Sequence, residues 1–132
     1  LKIINKMLQT DPQNLNLLLA KASMAAIIQD IETEIETLKK IIKINPITNV
    51  KSLLAQAYLR KNDGIVNEFI KKLIDEVLSE EPKDPGANFI LAKYLNQNGN
   101  KNKSRNLLLK ILENLDDKDP WHQIYKDELN IK

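Results

Sequence analysis

Hydrophobic residues recur along the chain three and four residues apart, the spacing of amphipathic helices, and no stretch alternates apolar and polar residues as a strand would. One apolar cluster occurs four times, and the copies end at Leu8, Ile42, Leu78 and Leu112. The copies are separated by 34, 36 and 34 residues. A period of this length indicates one structural unit stacked several times. The pattern therefore predicts an all-α fold of repeated helical hairpins.

Proline pairs separate the periodic segments and predict where helices end and begin. Each proline follows Asp, Asn or Glu, as in Asp11-Pro12 and Asp84-Pro85. Because proline suits the first turn of a helix and Asp or Asn can cap it, each pair marks one helix ending and another starting. Asp30, Asp63 and Asn100 are expected to open the second helix of each hairpin. The predicted helices are 1–10, 13–29, 31–44, 48–61, 65–80, 86–98, 101–115 and 120–130.

Residues within the units resemble the tetratricopeptide repeat (TPR) family, whose unit is a helix-turn-helix of 34 residues. A Leu followed by a small residue marks the first helix in that family. It occurs here as Leu19-Ala20, Leu54-Ala55 and Leu91-Ala92. The resemblance implies that these alanines lie where the two helices of a hairpin approach closely.

The resemblance implies a single TPR-like domain, an α-α superhelix or solenoid, over residues 1–132. Its parts are a half repeat at 1–12, three repeats at 13–46, 47–82 and 83–119, and a capping helix at 120–132 that contains Trp121. The first repeat departs from the family pattern with two extra residues in its first helix and Glu34 at a small-residue position. The predicted seam between units consists of Ile4, Leu8, Leu38, Ile42, Ile74, Leu78, Leu108 and Leu112.

First helices line the concave side of a TPR array, so the resemblance also implies a peptide-binding groove. Its inward row is predicted to be Lys21, Gln56 and Lys93. The mixture of amide and basic groups with Leu, Met and Phe suits an extended or helical peptide with apolar anchors and some acidic or backbone acceptors. The predicted groove residues are Asn14, Leu17, Lys21, Met24, Asn49, Ser52, Gln56, Leu59, Arg60, Phe89, Lys93 and Asn96.

Composition bears on which functions are expected. Twenty basic and eighteen acidic residues leave a net charge of +2, far from the basic excess of a nucleic-acid binder. With no cysteine and a single histidine, His122, the chain offers no ordinary set of zinc ligands and no catalytic triad. We predict no enzyme activity, no catalytic residue, no metal and no cofactor. The acidic stretch Glu32, Glu34 and Glu36 is expected to form a solvated face.

The expected function is a non-enzymatic protein-protein interaction module, a scaffold or chaperone-like adaptor that holds a partner peptide. Residues 65–85 and the later Asp119-Pro120-Trp121 more loosely resemble periplasmic TPR domains of bacterial cytochrome c maturation, which hold apocytochrome. The third alternative is self-association through the apolar face of residues 1–10. Localisation is left open between the periplasm, with a membrane anchor outside this sequence, and the cytoplasm, because the chain begins in mid-repeat. No segment is predicted to insert into a membrane.

Overall fold

A computed structural model describes residues 1–130, and within them the chain forms eight α-helices and no strand. The all-α prediction is confirmed, and each predicted helix is present. The helices are α1 (Lys2–Thr10), α2 (Leu15–Ile27), α3 (Ile31–Ile44), α4 (Thr48–Lys61), α5 (Glu68–Glu80), α6 (Pro85–Gln97), α7 (Lys101–Leu112) and α8 (Pro120–Glu128).

The helices pair into hairpins that stack along the chain. Within the hairpins, α2 packs on α3, α4 on α5, and α6 on α7. Between the hairpins, α3 packs on α4 and α5 on α6, while α1 covers α2 and α8 covers α6 and α7. Each hairpin thus contacts the neighbours adjacent to it in sequence, as expected of a helical-hairpin repeat fold.

Polar side chains fix the starts of several helices. Asn14 accepts a hydrogen bond from the backbone N–H of Leu17 at 3.1 Å, and Asp84 accepts one from Ala87 at 2.8 Å. Asp30 accepts bonds from both the hydroxyl and the backbone N–H of Thr33, which lower the pKa of its carboxyl. These caps satisfy N–H groups that have no partner inside the helix.

Helix α5 starts three residues later than predicted because a distant side chain holds the segment before it. Asp63 adopts a left-handed conformation with φ of 55° and lies in the turn, and Asn67 caps α5 instead. The amide of Gln97 donates to the carbonyl of Gly64 at 2.8 Å and accepts from the N–H of Val66 at 2.9 Å. The expectation that Asp63 opens the second helix was therefore wrong.

The seam, defined as the buried side chains of α3, α5 and α7 that pack against the neighbouring helices, lies partly one residue away from its predicted position. Leu38, Ile74 and Leu108 are buried as predicted. Ile42, Leu78 and Leu112 are half-buried at the margins of the three cores. In each helix the residue one position earlier is buried instead: Ile41 in α3, Val77 in α5 and Ile111 in α7. A spacing of three, not four, thus brings the second seam residue fully inside.

The enclosed alanines also differ in the first hairpin. Ala55 and Ala92 are buried, but Ala20 is half-buried, and Ala22 and Ala25 are the enclosed alanines of α2. Helices α2 and α6 both contain 13 residues, so α2 carries no extra residues relative to the third repeat. The expected two-residue insertion was wrong, because the alanine that corresponds to Ala92 is Ala22 and not Ala20. Ala22 precedes the cap of α3 by eight residues, as Ala92 precedes that of α7.

The seam can be tested by comparing two adjacent isoleucines of α3. Ile41→Ala removes fully buried methyl groups and should lower the free energy of unfolding by about 2–5 kcal/mol. Ile42→Ala removes the same atoms from a half-buried site and should cost less than about 1.5 kcal/mol. Urea unfolding followed by circular dichroism measures both, and equal losses would contradict the observed register.

Candidate interaction surface

The first two hairpins are separated by an opening between their first helices. Among the described residues, no Cα atom of α2 lies within 8 Å of a Cα atom of α4. In contrast, α4 and α6 have Cα atoms within 8 Å of each other, and so do α6 and α8. Since α3 packs against both α2 and α4, it forms the floor of the opening. We call this opening the α2/α4 groove.

A glycine in α6 explains why α4 and α6, the next pair of first helices, pack against each other. A Cβ atom on Gly86 of α6 would lie 2.5 Å from Nε2 of Gln56 and 2.9 Å from Oγ of Ser52, both on α4. Ser52 also donates a hydrogen bond of 2.7 Å to the carboxylate of Asp84, the residue that caps α6. The missing side chain and this hydrogen bond hold α4 against α6, so the opening is confined to the α2 side of α4.

The α2/α4 groove has two adjoining depressions that share Ala26. The first, of about 100 Å³, is lined by Leu19, Ala22, Ser23, Ala26, Glu34, Leu38 and Leu53. The second, of about 380 Å³, is lined by Ala26, Gln29, Ile31, Arg60 and Lys61. Ile27, which follows Ser23 by one helical turn, is 81% exposed, and Leu53 is 39% exposed. The walls of the groove are therefore mainly apolar and accessible.

An ion pair between a buried carboxylate and a half-exposed arginine lies at the floor of the groove. Glu34 of α3 is 5% exposed, and its two carboxylate oxygens accept hydrogen bonds of 3.0 and 2.6 Å from the guanidinium of Arg60 on α4. The expectation that Glu34 belongs to a solvated face was wrong, since the following hairpin covers it and supplies its counter-ion. Beside this pair, the exposed Lys61 lies 2.9 Å from Glu32.

The predicted groove residues are divided among several environments. Asn49 and Arg60 lie on the face of α4 that carries Leu53, since they are spaced four and seven residues from it. Leu17 is half-buried against the first core, and Met24 and Asn96 are exposed. Three of the predicted residues serve the fold itself: Asn14 as a cap, and Ser52 and Leu59 as buried side chains.

The predicted row of Lys21, Gln56 and Lys93 does not form one surface. Lys21 borders a depression of about 300 Å³ that is also lined by residues of α1 and α3. Gln56 donates to the hydroxyl of Ser52 at 3.2 Å and lies against α6. Lys93 pairs with Glu128 of α8 at 3.2 Å. The three side chains thus lie beside different helices: Lys21 near α1 and α3, Gln56 at α6, and Lys93 at α8.

Helix α8 closes the last hairpin through aromatic contacts. The ring of Phe89 lies 5.6 Å from that of Trp121 and 5.8 Å from that of Tyr125. The hydroxyl of Tyr125 donates a 2.6 Å hydrogen bond to the carbonyl of Pro85. Burial raises the pKa of this phenol, and the negative charge of Asp84 raises it further. Phe89, a predicted groove residue, is therefore half-covered by α8.

The sequence did not predict four of the residues that line the groove, Leu19, Ser23, Ala26 and Leu53. One signal for α2 was present, because apolar residues occur all around that helix instead of on one face. A helix of this kind is normally covered on every side. Leu53 carried no such signal, because it adjoins the buried Leu54 and its exposure depends on the distance between α2 and α4.

Within residues 1–130, no three Asp, Glu or His side chains are grouped closely enough to hold a metal ion. The described helices also include none with the length and apolar character needed to cross a membrane. No protein-family model matches the chain, and no curated protein matches it. The TPR resemblance stays a prediction, and the exposed surface is what bears on the function.

The ion pair of Glu34 and Arg60 can be tested by removing one partner. Arg60→Met leaves the Glu34 carboxylate buried without a counter-ion and should destabilise the fold by about 1–3 kcal/mol, since half of Arg60 is exposed and solvent screens part of the interaction. The double variant Glu34→Met, Arg60→Met should regain most of that loss, because an apolar pair of similar size removes the uncompensated charge.

Lys61→Met provides the matched control, since it breaks the exposed pair with Glu32 and should cost less than about 1 kcal/mol. Chemical denaturation of the four proteins measures the differences. A double variant that is as unstable as Arg60→Met would show that the charge on Glu34 is not what Arg60 compensates.

Proposed function

We propose that this protein is a non-enzymatic interaction module that binds an apolar segment of a partner protein in the α2/α4 groove. The observation that carries the proposal is the accessible apolar lining of the groove, above all Leu53 on α4 and Leu19 and Ala26 on α2. The exposed side chain of Ile27 extends the apolar surface of α2 beside this lining. Clustered exposed apolar residues are typical of protein-protein interaction sites. The fold supports this role because α3 packs on both flanking helices and holds them apart.

The charges around the groove bear on the kind of segment that fits. Both basic residues at its end, Arg60 and Lys61, are already paired with acidic residues of α3, Glu34 and Glu32. An acidic partner residue would compete with these internal pairs for the two basic side chains. The groove therefore favours a segment with Leu, Ile, Met or Phe anchors and few charges, and the affinity should depend weakly on salt.

A displayed random-peptide library, selected on the wild-type protein, tests this function. We expect enrichment of apolar peptides whose affinity falls at least about tenfold in the double variant Ile27→Lys, Leu53→Lys, since two desolvated charges would face the apolar anchors. Fluorescence anisotropy of labelled peptides at two salt concentrations measures affinity and its salt dependence.

The control is Ile65→Lys, Phe69→Lys, which adds the same charge at two exposed apolar residues in and just before α5. Selected peptides should bind this control as they bind the wild type. Peptides that bind the Ile27/Leu53 variant unchanged, or whose affinity collapses with added salt, would contradict the proposed use of the groove.

A second candidate function, self-association through α1, is favoured by a separate observation. Ile3 is 78% exposed and Met7, one turn later, is 48% exposed, so α1 presents an apolar face away from the core. A second copy of the chain could cover this face with its own α1. The α2/α4 groove would remain accessible in such a dimer, because it shares no residue with α1.

Sedimentation velocity over a hundredfold concentration range tests self-association. If α1 forms the interface, the wild type should shift to a dimer with rising concentration, and Ile3→Lys, Met7→Lys should remain monomeric. Both side chains point outward in the monomer, so the variant should keep the wild-type unfolding curve. A wild-type protein that sediments as a monomer throughout would rule out this candidate.

A further inference from the structure

A cavity of about 280 Å³ lies beside the last hairpin, away from the α2/α4 groove. It is bounded by the loop between α5 and α6, by one residue of α6, by one face of α7 and by the turn that follows α7. The lining residues are Pro82, Lys83, Asn88, Leu107, Lys110, Ile111, Asn114 and Leu115. The lining thus combines leucine and isoleucine side chains with two lysines, and it includes no acidic residue.

The buried amide of Asn88 gives the cavity a specific polar group. Asn88 is 3% exposed, and its Nδ2 donates to the carbonyl of Pro82 at 3.0 Å and to that of Asp84 at 2.9 Å. Both hydrogens of Nδ2 are therefore used, whereas Oδ1 accepts no hydrogen bond from residues 1–130. Every fully buried polar side-chain atom in this part of the chain has a partner. Oδ1 must consequently lie at the remaining accessible surface of Asn88, which faces the cavity.

The first hairpin shows that the fold does not require a polar residue here. Helices α2 and α6 have the same length, and the fourth residue of each is Leu18 in α2 and Asn88 in α6. Leu18 is buried in an apolar core. A buried amide with an unused acceptor is less favourable than leucine unless a donor reaches it. The accessible acceptor of Asn88 is thus available to a ligand that supplies a donor in place of water.

The two lysines of the lining indicate which charge a ligand would carry. Lys83 and Lys110 border the cavity, and neither forms an ion pair within the described residues. They favour a carboxylate at the cavity mouth and disfavour a ligand whose hydrogen-bond donor is a cation. The apolar wall formed by Leu107, Ile111 and Leu115 suits a branched hydrocarbon group.

We propose that this cavity binds a small apolar carboxylate that carries an uncharged N–H or O–H donor, such as an N-acylated apolar amino acid. The N–H or O–H donates to Oδ1 of Asn88, the carboxylate lies between Lys83 and Lys110, and the hydrocarbon group packs on α7. A free acylated amino acid and the last residue of a peptide share this chemistry.

Titration of the ¹⁵N-labelled full chain with N-acetyl-L-leucine, followed by NMR, tests the site. We expect saturable shifts at residues 83, 88 and 107–115, with N-acetyl-L-leucinamide and 4-methylpentanoate binding at least about fivefold weaker because each lacks one polar contact. A tetrapeptide ending in leucine, titrated in parallel, distinguishes the two ligand sources: tighter binding than N-acetyl-L-leucine favours a chain end, and weaker binding a free molecule.

Two variants address separate contacts. Lys110→Met should weaken binding about tenfold through the lost charge, whereas Lys103→Met, an exposed lysine at the start of the same helix, should have no effect. Asn88→Leu introduces the residue that α2 carries at this position and should abolish the preference for N-acetyl-L-leucine over 4-methylpentanoate.

Absence of saturable shifts in the wild type up to about 10 mM would overturn the proposal, as would equal binding by the wild type and Lys110→Met. Asn88→Leu also removes two hydrogen bonds to the preceding loop, so its unfolding curve has to be recorded with the titration. Should that variant unfold, Lys110→Met and the two ligand analogues still decide the result.

Discussion

Packing of each second helix against the first helix of the next hairpin is the interaction on which the structure depends. A single hairpin has apolar residues on two sides and cannot bury both by itself. The seam residues Ile41, Val77 and Ile111 are enclosed because a following helix lies against them. Since each of these contacts joins neighbours in sequence, stability should accumulate along the array and not arise from one central core. The three separate clusters of buried residues agree with this view.

The seam also allows the first helices to differ in how closely they approach one another. Because α3 is already packed on α4, α2 does not have to contact α4 for the stack to hold. At α4 and α6, Gly86 removes the side chain that would keep the helices apart. At α2 and α4, Leu53 and Arg60 face the opening, and the ion pair between Arg60 and Glu34 connects α4 to α3 instead. An opening can therefore form without disrupting the repeat.

Helix positions could be predicted from sequence because their signals are local. Periodicity, capping residues and prolines act within a few residues, so the bounds of α3 and α4 agree with the predicted ones. The start of α5 has one local signal, the cap Asn67, but the extended segment before it is held by Gln97, thirty-one residues beyond Val66. The burial of Glu34 likewise depends on Arg60 in the next hairpin. Which residues line the α2/α4 groove follows from a distance between helices, which no local pattern encodes.

Two buried polar residues occupy positions where another hairpin has a small or an apolar one, and they differ in how they are satisfied. Glu34 stands where Ser104 stands in the third hairpin, four residues before the buried seam leucine, Leu38 or Leu108. Asn88 stands where the first hairpin has Leu18. Glu34 has both carboxylate oxygens bound by Arg60, so it is a structural element of the groove floor. Asn88 retains an acceptor that no described residue uses, so its polarity is directed outward. A repeat fold makes this distinction measurable, because each unit provides the reference against which a departure in another unit can be judged.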